Sequence, residues 1–171
     1  MSRDMIASVE DEVDRLVAAW RTQRPDLDVR PIEVLSRVSR LARHLDLARR
    51  GAFAQHGLEQ WEFDVLAALR RAGEPYELSP GRLLRDTLVT SGTMTNRIDR
   101  LTRAGLVERR RDPRDRRGVL VRLTPRGLSR VDAAFEDLLD RERDLLDSLS
   151  DRDRDRLSAL LRPLLAPFDS D

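Results

Sequence analysis

A mainly α-helical chain carrying a small β-wing is predicted by three features. Apolar residues recur at helical spacing through most of the 171 positions. One pair of short alternating segments interrupts them between residues 106 and 124. Aromatic residues are only 4% of the composition, so the core must be built mostly from leucine, valine and alanine, which suits helices.

Residues 6–20 read as a first amphipathic helix, with Val9, Val13, Leu16, Val17 and Trp20 on one stripe. The segment TQRPDLDVRP breaks it through Pro25 and Pro31. A longer helix follows over about 32–56, with Leu35, Val38, Leu41, Ala42, Leu45 and Ala48 on one side and many arginines on the other. Residues 60–72, containing QWEFDVLAALRR, form a third helix closed by Gly73. Ser79 and Pro80 supply the N-cap and first-turn proline of a short helix over GRLLRDTL. The next helix lies in VTSGTMTNRIDRLTRAG, where Thr90 or Ser91 caps it and Gly105 ends it. Met94, Ile98 and Leu101 form its inner face, which leaves Thr93, Thr95, Asn96, Arg97 and Arg100 for other surfaces.

Residues 106–111 and 118–124 read as two strands. Val119, Val121 and Leu123 alternate with Leu120 and Arg122, Asp112-Pro113 opens the turn and Gly118 releases it. Thr124 and Pro125 start a helix over about 125–147, and Ser150 starts a last one bearing Leu157, Leu160, Leu161, Leu164 and Leu165. These stripes are too apolar to face water, so packing on the N-terminal helices, on a second subunit, or on both is expected. Two close short helices followed by a two-stranded ribbon compose a winged helix-turn-helix. The organisation expected is therefore an N-terminal helix at 1–24, helices at 32–56 and 125–168 whose apolar stripes need covering, and a winged helix-turn-helix lobe at 57–124.

Composition narrows the function. There is no cysteine, hence no disulfide, thiolate metal site or cysteine nucleophile. No apolar run approaches the roughly 20 residues of a membrane span, and no signal-peptide core follows the start, so a cytoplasmic protein without a membrane partner is expected. His44 and His56 stand apart without a cluster of metal ligands, SDRDRDRLS reads as a solvated helix start, and Ser91 has no spaced His and Asp partners. No phosphate-cradling glycine loop is present. No enzyme, metal or cofactor is expected.

The net charge of +1 hides an asymmetry. Residues 79–124 hold 12 basic and 5 acidic side chains, whereas residues 132–171 hold 6 and 12. A basic centre points to a polyanion, and double-stranded DNA fits the helix-turn-helix. All 32 basic residues are arginine, so the arginine count alone proves little. Their placement says more: RRRDPRDRRGVLVRLT, residues 109–124, carries seven arginines in sixteen positions. Arg114, Arg116 and Arg117 at the turn suit a phosphate backbone or a narrow minor groove, and Asp115 among them is expected to brace a neighbouring arginine. Thr90, Ser91, Thr93, Thr95 and Asn96 are placed for backbone or base edges in the major groove. A two-fold dimer sets two such helices roughly 34 Å apart over a palindrome.

Residues 83–127, with GLVERR, DPRDRRG and VRLTPRG, resemble the winged helix-turn-helix of the MarR family, and the resemblance extends over roughly 32–168. It implies a homodimeric transcription regulator, often a repressor released by a small ligand, with 32–56 and 125–168 as its dimerisation helices and 1–24 as an added N-terminal helix. The added segment VDRLVAAWRTQRPDLD and the stretch EFDVLAALRRAG resemble the urate-responsive, PecS-like branch of that family. The resemblance to that branch implies a ligand site made of Trp20, Asp64, Arg97 and Arg109, with urate or another small anion such as a tricarboxylate as effector. On chemistry alone, Trp20 offers a flat apolar surface and the two arginines can hold an anion. The same residues equally suit a structural anchor and a structural ion pair. The rival reading of the whole chain is a non-inducible architectural DNA-binding or protein-interaction module.

Overall fold

The computed structural model describes residues 10–87, 90–113, 115 and 118–168. Among them the chain runs α1 (Glu12–Gln23), α2 (Arg30–Gln55), α3 (Gln60–Arg71), β1 (Glu77–Leu78), α4 (Pro80–Thr87), α5 (Ser91–Arg103), β2 (Val107–Arg111), β3 (Val119–Leu123), α6 (Pro125–Leu145) and α7 (Asp151–Leu165), with a 3-10 turn at Ala166–Phe168. It divides into two units, residues 1–47 and 48–171, and α2 passes through the division.

In the first unit α1 starts at Glu12, later than periodicity suggests, because Asp11 caps it. The Asp11 carboxylate accepts from the Val13 and Asp14 amides at 2.8 and 2.9 Å, and Asp14 accepts from the Asp11 amide at 3.0 Å. Val9 lies outside the described residues. The apolar contacts are few: Val13, Val17 and Val29 are buried, with Ile32 against them. Charge does much of the rest. Arg37 reaches Asp11 at 2.8 Å and Asp14 at 2.7 Å, Arg40 pairs with Glu12, and Arg21 pairs with Glu33. Arg37 and the capped amides hold the Asp11 carboxyl down to about 2.

The second unit holds the lobe. Its core draws on the end of α2 (Ala52, Phe53), on α3, α4, α5, on the strands and on α6. Phe53 and Phe63 stack with ring centres 4.1 Å apart. The wing is one short strand richer than expected. β1 joins β3 in antiparallel register, Glu77 opposite Arg122 and Leu78 opposite Val121, giving a three-stranded sheet of order β1-β3-β2. Tyr76 enters that strand at φ 61, its ring under the Arg70 guanidinium.

Gly127 fixes how α6 meets the wing base. Thr124 caps α6 by accepting from the Gly127 amide at 3.0 Å, and a β-carbon at Gly127 would lie 2.0 Å from the Leu106 carbonyl oxygen. Ser150 caps α7. The apolar stripes of the terminal helices stay open to solvent in the single chain: Leu35, Val38 and Leu41 on α2, Leu160, Leu164 and Leu165 on α7. No described helix is long and apolar enough to cross a membrane.

Candidate nucleic-acid interface

α5 is seated by Met94, Ile98 and Leu101, all buried. At 100° per residue the opposite row is Gly92, Asn96 and Arg103, all exposed. Arg103 escaped the sequence reading, though its place seven residues after Asn96 was the available signal. Thr90 takes the N-cap position without a side-chain cap bond; its hydroxyl instead meets that of Thr93 at 2.9 Å. The Thr95 hydroxyl donates to the Ser91 carbonyl at 3.1 Å, which leaves its lone pairs outward. Ser91, Thr93, Thr95 and Asn96 are exposed along the first turns, where unpaired amides and the helix dipole favour an anion.

The wing register gives its arginines different surroundings. Arg109 lies opposite Val121 and Arg111 opposite Val119, on the face that carries buried Val107 and Val121. Arg110 lies opposite Leu120, on the other face with Glu108 and Arg122. Arg109 therefore turns toward α5 and pairs with Asp99 at 2.6 Å, tying the wing to the helix. Arg122 donates to the Pro75 carbonyl at 3.0 Å. The turn closes through Asp112 N–H to Gly118 O and Gly118 N–H to Asp115 O, at 3.0 and 2.9 Å. Arg114, Arg116 and Arg117, and with them the expected bracing by Asp115, lie outside the described residues.

The four residues expected to hold an effector are distributed as follows. Trp20 belongs to the first unit and is 46% exposed. Asp64, Arg97 and Arg109 belong to the second. Asp64 accepts from the Gln60 side chain at 3.1 Å, and Arg109 is engaged by Asp99. Arg97 lies over the ring of Trp61, a residue that the sequence reading passed over. Trp61 Nε1 donates to Glu59, which also accepts from Arg100. These two donors, the indole first, hold the Glu59 carboxyl below its ordinary range. His56 meets Asp137 at 3.0 Å. Among the described residues, no group of three or more His, Cys, Asp or Glu side chains is placed to hold a metal.

Comparison with known proteins bears on this surface. Residues 56–118 match the family described as the MarR family. Over 150 residues the chain is 39% identical to the HTH-type transcriptional regulator PecS of Dickeya dadantii, covering 88% of this chain and 90% of that one. A MarR mutant from E. coli, solved in complex with operator DNA, superposes with a TM-score of 0.65 at 27% identity, over 81% of this chain and 99% of that one. A MarR family protein from Bacillus stearothermophilus superposes with a TM-score of 0.71 at 25% identity, over 84% and 99%.

Proposed function

We propose that this chain, which belongs to the MarR family of transcriptional regulators, acts as a homodimeric repressor that leaves a palindromic operator when a small anion such as urate binds. The observation that carries the DNA-reading half is the exposed row on α5 beside an arginine-rich wing, in a chain similar to a regulator solved on its operator. Asn96 and Arg103 face the major groove, with Thr90, Ser91, Thr93 and Thr95 reaching phosphates or base edges. Arg114, Arg116 and Arg117 serve the backbone or minor groove. The open apolar stripes of α2, α6 and α7 supply the subunit interface.

The effector half rests on Trp20, Asp64, Arg97 and Arg109. Arg97 is on the recognition helix and Arg109 on the wing, so one anion held by both acts on both DNA-reading elements. In the free lobe Asp99 occupies Arg109, and an incoming anion competes with that carboxylate. A coupling of about 1–3 kcal/mol changes DNA affinity roughly 5–150-fold.

The test is fluorescence anisotropy on DNA from upstream of the protein's own gene, against scrambled DNA, with and without urate. Selective binding relieved by urate is expected, and Arg97→Ala is expected to blunt the relief. Asn96→Ala should lose about 1–3 kcal/mol of operator affinity and relax selectivity at one base pair. Equal binding to both DNAs would favour an architectural role instead.

A further inference from the structure

Two arginines on one flank of α5 stand on the same indole but are held differently. Arg100 lies with Cζ 4.6 Å from the centre of the Trp61 ring and donates to Glu59 Oε1 at 2.7 Å. The other oxygen of Glu59 accepts from Trp61 Nε1 at 2.8 Å, so Glu59, Trp61 and Arg100 close a triad. Arg97 has the ring alone. Its Cζ is 5.4 Å from the ring centre, and among the described residues no hydrogen bond or ion pair joins it. A ring face attracts a guanidinium through its quadrupole and leaves the five N–H donors unspent. Arg97 is thus fixed in place with its donors free for an anion. Trp61 and Asp64, three residues apart on α3, lie on one face of that helix.

We propose that Trp61 is the positioning residue of Arg97: the ring parks the guanidinium on the recognition helix, and capture of a small anion lifts it off while Arg100 stays pinned to Glu59. This deepens the effector reading of Arg97 given above and rests on it. It also makes the motion of α5 specific. One arginine leaves the ring and the next one holds, so the helix turns about the Arg100 anchor.

The indole N–H resonances of the full-length protein report the event. Its two tryptophans give two indole signals, and the spectrum of Trp61→Phe assigns them by the signal it lacks. Urate titrated into the wild-type protein is expected to move the Trp61 signal, saturating together with the heat of binding in calorimetry. In Arg97→Ala the Trp61 signal is displaced before urate is added and stays there afterwards. Trp61→Leu removes a contact that binding has to break, so it tightens urate binding about two- to fivefold, the worth of an exposed cation–π contact, and Trp61→Phe, which keeps a ring face, returns it toward the wild-type value. Binding heat with a stationary Trp61 signal overturns the proposal and leaves the effector role of Arg97 standing. No binding heat in the wild-type protein removes the urate reading itself, and the proposal falls with it.

Discussion

α1 and α3 are both twelve-residue helices, and in both a carboxylate reaches back to the N-cap amide, Asp14 to Asp11 and Glu62 to Glu59. They are held by opposite means. α3 buries Phe63, Val65, Leu66, Ala67, Ala68 and Leu69 in the lobe core, whereas α1 buries only Val13 and Val17. What α1 lacks in apolar contact it replaces with ion pairs to α2 through Arg21, Arg37 and Arg40. Burial of apolar area has no charge to screen or to protonate; exposed ion pairs are weakened by both salt and acid. The helix bearing Trp20 is therefore the loosely fastened one, and the helix bearing Asp64 and Trp61 is the fixed reference.

The largest effect that separates the two is truncation of the core. Leu66→Ala, at a fully buried position of α3, is expected to lower stability by about 2–5 kcal/mol in denaturant unfolding. Val17→Ala on α1 should lose about 1–2 kcal/mol, from the smaller apolar volume removed. Equal losses would abolish the contrast. Next comes Gly127→Ala, whose added carbon meets the Leu106 carbonyl. Forcing α6 off the wing base is expected to cost about 1–3 kcal/mol or more, read as a lowered Tm.

Acid sharpens the comparison further. The folded pKa of Asp11 is held at about 2, against an ordinary 3.8, so its contribution is complete above about pH 4 and disappears as pH falls through 2. Between those limits the Trp20 indole signal should broaden or move while methyl signals of Leu66 keep their positions. A lobe that loosens first would reverse the assignment. The smallest effect is expected at the isolated pair of Arg143 and Asp140, both about two-thirds exposed on α6. Arg143→Ala should leave stability within about 0.5 kcal/mol, which would separate a lone surface pair from the linked set on α1.

Periodic and punctuated elements were legible in the sequence. Met94, Ile98 and Leu101 between Thr90 and Gly105 mark α5, and the alternation of Val119, Val121 and Leu123 marks β3, because local spacing alone decides which face is buried. Two-residue β1 was not legible, since it exists only by pairing with β3, and nothing local distinguishes Glu77 and Leu78 from loop. The start of α1 was misplaced because a long-range pair, Arg37 with Asp11, reinforces the cap. Within the candidate site, the outward polar row of α5 was readable apart from Arg103. The partners of the arginines were not, because a one-residue shift in strand register decides whether Arg109 or Arg110 meets Asp99. Trp61 was passed over for a related reason. Its meaning comes from Arg97 and Arg100 reaching it from another helix, and only their spacing of three residues hinted that both could lie over one surface.

The tie between Asp99 and Arg109 carries a consequence for the DNA rather than for the protein. A helix and a ribbon that share one buried core through Leu101, Leu106, Val107 and Val121, with this half-exposed pair at its edge, behave as a fixed-gap caliper. On the function proposed above, in which α5 probes base pairs and the ribbon the flanking groove, the two are then read at one set distance. Within each half of an operator, insertion or deletion of a single base pair between those two places should abolish recognition, whatever the bases are. Asp99→Asn, which cuts only the exposed pair, should leave that intolerance to length variants in place and change binding to the parent sequence by no more than a few-fold.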